Sequence, residues 1–423
     1  MKIMETTVTQ DTENKIPWLL VIFSAVGYFV DLFDTFLLPA LRVNSLKDLG
    51  VPDSESFAVY TMIMNSQLAG MVVGAFFLWG PVADTRGRKY ILLWSIIVYS
   101  VANLLTAGVY DSFSYAIIRF FAGIGLGGEL GAGVTLVTEA MPAKEQGKDR
   151  GIATMIIGFF GMFGVVTAAA LAQTGLHWRI IYIIGGVMGI GILMLRAGIH
   201  DSRLFVQNKA TNQTARQIDI LRFLFSWPHV LKYIACILVG APTFFVTGLL
   251  VPGAPEFARE FGMTELPKPT TALIYTYTSI AIGDILCGLL SKIILSRKYA
   301  LLTFHFITGM GIASFLVLPP QTPVEFYLRC IIAGTGIGFW TNMVTNAAEQ
   351  FGTNVRATVT ITVPNLVRFL LFPISAAFIA LKPELGIVSA AAVVGGTCST
   401  LAIVMTLILR DGLRADLKYN EQI

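Results

Sequence analysis

The sequence predicts an all-α integral membrane protein, with twelve transmembrane helices in two pseudo-symmetric six-helix bundles, and three observations predict it. The chain is 55% hydrophobic and only 13% charged, with a mean hydropathy of +0.71, whereas a soluble globular chain carries roughly 25% charged residues. Apolar runs of spanning length recur along the whole chain, and crossing a bilayer core of about 30 Å takes roughly 20 helical residues. The two halves also share a pattern of glycine, arginine and glutamate about 210 residues apart.

Residues 1–17 are polar and lack the apolar core and cleavage site of a secretory signal, so the N-terminus is expected to be retained. The first span, 18–40, carries Tyr28, Asp31 and Asp34. The second, 58–80, ends at a Gly-Pro step, and the third, 90–110, begins just after Arg88-Lys89. Arg119 lies about one and a half turns into the fourth span, 113–138. The fifth, 151–173, holds the glycine run Gly158, Gly161 and Gly164, and the sixth is 179–197. A polar stretch from His200 to Arg222 follows. The second set of six reads as 230–251, 271–295, 299–318, 326–347, 357–381 and 386–409. Helices satisfy every backbone amide internally, which hydrocarbon demands. Cys236, Cys287, Cys330 and Cys398 all fall inside apolar spans without metal-ligand spacing and read as small buried side chains.

With the N-terminus inside, most of the 30 Lys and Arg fall on cytoplasmic segments, among them Arg86, Arg88, Lys89, Lys144, Lys148, Arg150, Arg297 and Lys298. Arg42, Lys47, Arg179, Arg259, Lys268 and Lys382 fall on the other side. This bias predicts cytoplasmic termini and an even number of spans. The polar middle divides the chain into an N-terminal bundle, 1–199, a central linker, 200–229, and a C-terminal bundle, 230–423. Gly80 and Gly288 each open a loop between helices; Arg119 and Arg329 begin matching helices, and Glu139 and Glu349 close them. The run Gly123, Gly125, Gly127 is answered by Gly334, Gly336, Gly338. Such a duplication predicts two bundles rocking about a midplane site.

The segment Gly80-Pro81-Val82-Ala83-Asp84-Thr85-Arg86-Gly87-Arg88-Lys89 resembles the loop signature of the major facilitator superfamily. Gly80 lets two helix ends approach, Gly87 permits a tight reversal, and Asp84 can bond helix-terminal amides or a basic group. The resemblance implies that Asp84, Arg86 and Arg88 form a cytoplasmic charge lock, a gating role rather than a substrate contact. The second copy, Gly288 to Lys298, has Ser291 and Lys292 where the first has its aspartate. The fourth span, from Arg119-Phe120-Phe121-Ala122-Gly123 through Gly127-Gly128-Glu129 to Glu139-Ala140-Met141-Pro142, is similar to that of the sugar and metabolite proton symporters of the superfamily. So is Tyr28-Phe29-Val30-Asp31-Leu32-Phe33-Asp34 in the first span.

Ionisable residues inside a membrane span cost on the order of 3 kcal/mol each and mark candidate sites. Asp31 and Asp34 share a helix face. Arg119, at a depth similar to Asp34, is expected to pair with one of them and leave the other as a proton carrier. Glu129 lies about 15 Å further along the same helix. The expectation is that Asp31 and Glu129 exchange the coupling proton while Arg119 and Asp34 modulate it. The competing reading is a static network between helices. Asp284 and Arg368 share a midplane depth, so either they pair or Arg368 binds a substrate carboxylate. Tyr28, Asn65, Gln67, Thr243, Trp340, Asn342, Asn346 and Asn365 are uncharged candidates for the cavity. Glu349 to Thr358 reads as the repeat of Glu139 to Arg150, so Glu139, Arg150, Asp284, Glu349 and Arg356 join the expected gating set with Gly80 and Gly87.

These features predict proton-coupled uptake of a small polar metabolite by alternating access, an organic acid or amino acid before a sugar. The alternative is proton-driven efflux, against which the absence of proline from the run Gly158 to Gly164 weighs. An intramembrane enzyme would need a nucleophile with its base or a metal cluster, and the four scattered histidines assemble neither. No metal or organic cofactor and no nucleic acid partner is expected. The expected setting is a lipid bilayer, a bacterial inner membrane, with the protein a monomer.

Overall fold

A computed structural model describes residues 18–79, 88–129, 148–196, 222–227, 229–412 and 421, and among these it is helical without strands. The first half comprises α1 (Trp18–Asp48), α2 (Asp53–Val73, continued by a π-helical turn Gly74–Trp79), α3 (Arg88–Thr106), α4 (Ser112–Leu126), α5 (Lys148–Gln173) and α6 (Trp178–Arg196). In the second half α7 spans His229–Leu250, then α8 is Pro269–Ile293, α9 Arg297–Val317, α10 Pro323–Gly336, α11 Trp340–Glu349, α12 Thr353–Phe369 and α13 Leu371–Ile408.

Twelve crossings follow from these elements. Eight runs are long and apolar enough to span, and α3 and α4 add two shorter apolar helices. One of the eight, Thr358–Ile408, reverses at Gly386, whose φ of 76° only glycine adopts freely, and so counts twice. The twelfth crossing is α10 with α11, which the sequence presents as one run at 326–347 but which breaks at residues 337–339. The first helix runs on to Asp48, past the expected limit of 40, because Arg42 and Ser45 are buried rather than solvated.

Helix ends are set locally. The Asp111 carboxylate accepts from the Phe113 and Ser114 amides, both at 2.8 Å, and caps α4. The Ser114 amide bond, foremost, holds this exposed carboxyl below its ordinary range. Its contribution to the cap is therefore present above the unfolded carboxylate range and lost as pH falls through the depressed value. Ser296 caps α9 through the Tyr299 amide, and Thr322 caps α10 through the Glu325 amide.

Inside each half the repeated glycines set helix spacing. A Cβ on Gly123 would collide with the Gln67 carbonyl, and one on Gly70 with the Phe120 carbonyl, so α2 and α4 touch backbone to backbone. The second half repeats this, with Gly283 of α8 against the Thr335 carbonyl of α10. Between the halves, α5 packs along α8 and α2 along α12. Described residues bridge that seam toward both ends. At one end Arg42 pairs with Glu256, and Gln173 donates to Thr270 and Thr271. At the other, Ile361 packs with Trp79, Ile91 and Leu92, and Asn365 donates to the Gly127 carbonyl at 2.8 Å. The four cysteines are free and buried.

Gly123→Val should destabilise the first half by about 2 kcal/mol or more, since the neighbour it meets is backbone and cannot turn aside. Gly191→Val, where nothing lies within reach of an added Cβ, should change little. Thermal unfolding of the two variants in detergent checks this, and equal losses would refute backbone contact as the cause.

Candidate functional site

A helix face recurs every three to four residues, and Tyr28, Leu32 and Phe36 of α1 present one such face to the centre of the molecule. Facing them are Met162 of α5, Thr243 and Phe244 of α7, Tyr277 and Ile280 of α8, Ile337 and Trp340 at the α10–α11 break, and Arg368 of α12. Together they line a cavity between the halves. The wall is mostly aromatic and aliphatic. Its polar groups are Arg368, 5.9 Å from the Trp340 ring centroid, the Tyr28 and Tyr277 hydroxyls, and the Thr243 hydroxyl and Trp340 indole N–H, the last two buried without a partner among the described residues.

Arg368 joins the halves. Its Nη2 donates to Asp31 Oδ2 at 3.3 Å and its Nη1 to Asn365 Oδ1 at 3.3 Å, with both charged side chains buried. The second Asp31 oxygen, Oδ1, has no partner among the described residues. Of the two options the sequence left for Arg368, pairing with Asp284 is not what the structure shows. Asp284 instead accepts from the Thr341 amide at 3.0 Å and hydroxyl at 2.8 Å, fixing α8 to the start of α11.

The remaining buried charges sit apart from the cavity. Glu129 pairs with Arg196 of α6, whose Nη2 also donates to the Phe23 carbonyl at 2.9 Å. Gly27 makes room for both, since a Cβ there would strike the Arg196 guanidinium. Arg119 donates to Asn103 at 2.7 Å and Thr106 at 2.8 Å and stacks 4.8 Å from the Tyr182 ring centroid. The expected ion pair between Arg119 and an aspartate is not formed. Asp34 lies beside Arg119 and Asn103, yet neither of its oxygens has a hydrogen-bond partner among the described residues. Equal depth on two helices had suggested contact, but depth does not fix the direction in which each side chain leaves its helix.

Of the uncharged candidates, the structure brings Tyr28, Thr243 and Trp340 to the cavity with Arg368. Asn365 stands behind Arg368, Gln67 donates to the Thr35 carbonyl at 3.3 Å, and Asn65 lines a second, smaller cavity. Asn342 accepts from Arg297 at 3.1 Å, and Asn346 lies next to Gln350 at 3.5 Å, both away from the cavity. In the expected gating set, Glu349 takes a two-pronged grip from Arg297, at 2.6 Å from Nε and 2.8 Å from Nη2. Asp411 accepts from the Arg297 amide at 3.1 Å and from the Ser296 hydroxyl. Arg356 donates to the Ala348 and Phe351 carbonyls. Gly80, Asp84, Arg86, Gly87 and Glu139 lie outside the described residues, as do the side chains of Arg88 and Arg150, which sit in the first turns of α3 and α5. Sequence reasoning missed Arg196, at the end of the sixth span, and took Arg297 only as a cytoplasmic charge; the glutamates needing partners, Glu129 and Glu349, were the signal that could have found them.

The family profile described as Major Facilitator Superfamily matches residues 23–376. A putative metabolite transport protein of Haemophilus influenzae is 27% identical, over 82% of this chain and 84% of the relative. The sialic acid transporter NanX of Escherichia coli is 25% identical over 71% and 69%, and the 4-hydroxybenzoate transporter PcaK of Pseudomonas putida 28% identical over 51% and 48%. Among solved structures, a partially occluded inward-open form of the xylose transporter XylE from E. coli is similar in fold, with a TM-score of 0.70 at 15% identity over 95% of this chain and 99% of that one.

Losing Arg196 alone should strand a buried carboxylate and cost about 3–5 kcal/mol, while removing both charges should recover most of the loss. Detergent melting of Arg196→Met against Arg196→Met with Glu129→Leu measures this, and a double variant no better than the single one would show that the pair is not the constraint.

Proposed function

The chain belongs to the Major Facilitator Superfamily, a family of transporters rather than enzymes, and from that premise we propose that it carries a small organic acid anion inward together with a proton. The observation that carries the reading is the Asp31–Arg368 pair, one charge from each half, with Arg368 on the wall of the central cavity and Asp31 bonded to it. With the cavity empty, the two charges cancel. An incoming carboxylate needs Arg368 and is repelled by Asp31. A proton on Asp31 removes the repulsion and releases the guanidinium to the cargo, so the loaded cavity is again neutral.

The two mixed states are charged: anion without proton leaves a net negative cavity, proton without anion a net positive one. An uncompensated buried charge costs about 3–5 kcal/mol, so the halves rock readily only when both are bound or both absent. That restriction is coupling, and it makes the exchange one proton per anion. Glu129, held by Arg196, serves in this scheme as a fixed charge, which moves the coupling role expected of it onto Asp31.

The cavity wall favours the cargo's body. Phe36, Phe244, Tyr277 and Trp340 offer aromatic faces, and Tyr28, Thr243 and the Trp340 N–H offer a few hydrogen bonds. A sugar would leave most of its hydroxyls unpaired there, at about 1–3 kcal/mol each. An aromatic monocarboxylate with one or two polar substituents matches the wall, and the 4-hydroxybenzoate relative is consistent with it. With both termini cytoplasmic, the Arg297 end faces the cytoplasm and the Arg42 end the outside, and Asp284, Glu349 and Arg356 belong to the parts that hold the inner end.

Proteoliposomes with an inward proton gradient should accumulate labelled 4-hydroxybenzoate, and a protonophore should abolish it. Asp31→Asn should bind the anion with no pH dependence and exchange it, yet lose net accumulation, because its empty form carries an unpaired Arg368. Arg368→Lys should weaken affinity about tenfold or more. Accumulation by Asp31→Asn with its pH profile intact would end the coupling scheme, and accumulation of xylose in place of acids would end the cargo assignment.

A further inference from the structure

Arg42 is the last charge on α1 to be buried, and its surroundings form a second site. Its Nη2 donates to Glu256 Oε1 at 2.8 Å and its Nη1 to the Pro252 carbonyl at 3.2 Å, tying α1 to the chain that follows α7. The guanidinium rests 5.4 Å from the Phe57 ring centroid and 5.5 Å from that of Tyr60. The grip is incomplete: Arg42 Nε and Glu256 Oε2 are both buried without a partner among the described residues.

The same two rings line a narrow cleft together with Asn65 of α2, Gly248 and Leu249 of α7 and Ser375 of α13. Tyr60 is 2% exposed, and its hydroxyl and Asn65 Oδ1 are likewise unpartnered. Along α7 the order is fixed by the helix rise: Thr243 and Phe244 at the central cavity, Gly248 and Leu249 one turn further, then Pro252 and Glu256 at Arg42. The cleft therefore lies between the outer closure and the central cavity.

We infer that this outer cleft is a vestibule site for the carboxylate cargo, in which the anion takes the place of Glu256 on Arg42 and so frees α7 from α1. The cation, the aromatic walls and the unpaired hydroxyl and amide oxygen repeat the chemistry of the central site in weaker form. A cationic contact with one prong and a spare N–H is one an incoming carboxylate can capture. Opening then depends on the charge of the solute: a neutral sugar cannot compete with Glu256. The inference rests on the reading that the cargo is a carboxylate.

Initial-rate uptake of labelled 4-hydroxybenzoate separates a vestibule site from a mere latch. Breaking a latch from either side has one effect, so Arg42→Gln and Glu256→Gln would then move KM in the same direction. A vestibule site moves them oppositely: Arg42→Gln, which removes the receptor, should raise KM about tenfold, and Glu256→Gln, which removes the competitor, should lower it. Tyr60→Phe, which deletes one hydroxyl, should raise KM by a smaller factor. Equilibrium binding at the central site, lost in Arg368→Gln, reports that each variant is folded. Shifts of one sign in the Arg42 and Glu256 variants overturn the vestibule site and leave the transport reading standing. A wild-type protein that takes up no carboxylate removes both, an outcome plainly different from the first.

Discussion

A charge inside the bilayer needs a counter-charge or polar partners, and the way each buried ion pair meets this demand sorts the pairs into fixed and movable ones. Glu129 with Arg196 and Arg297 with Glu349 lie within one half, and each arginine makes further bonds, to the Phe23 carbonyl and to Asn342. None of these four side chains has a buried orphan atom. Asp31 with Arg368 and Arg42 with Glu256 cross between the halves, and each pair retains an unsatisfied atom: Asp31 Oδ1 in one, Arg42 Nε and Glu256 Oε2 in the other. Saturated pairs brace the bundles. Unsaturated pairs lie where the bundles must separate, and an unsaturated pair can accept a new partner at low cost.

The backbone contacts follow the same division. Within a half, α2 meets α4 through Gly70 and Gly123 with no side chain between them, which leaves little freedom for one helix to slide on the other. Across the seam the contacts are side-chain contacts, such as Ile361 among Trp79, Ile91 and Leu92. A rigid half and a yielding seam are what rocking requires.

The crossings were legible because hydropathy and length report them directly, and the repeat was legible because Gly123 and Gly334 answer one another where helices touch. The breaks were not. Residues 326–347 read as one apolar run, and nothing in their composition marks residues 337–339, where the chain leaves the helix and turns Trp340 toward the cavity. The charged candidates were legible as a set because membrane burial makes each conspicuous, but their pairing was not, since it depends on rotation about each helix axis. Arg368 shares its depth with Asp284 yet reaches Asp31 instead. The apolar cavity wall was the least visible part: Phe36, Phe244 and Tyr277 are no different in sequence from the many aromatic residues that face lipid.

That anonymity has an evolutionary consequence. Leu32, Met162, Ile280 and Ile337 line the cavity and hold no charge pair in place, so volume-conserving exchanges among them are tolerated at modest cost in stability. A lineage can reshape the cavity for a new solute by altering these side chains while Asp31, Arg368 and the braces stay as they are. On the proposed function, cargo preference and energy coupling are thus inherited separately, and divergence in the first need not interrupt the second.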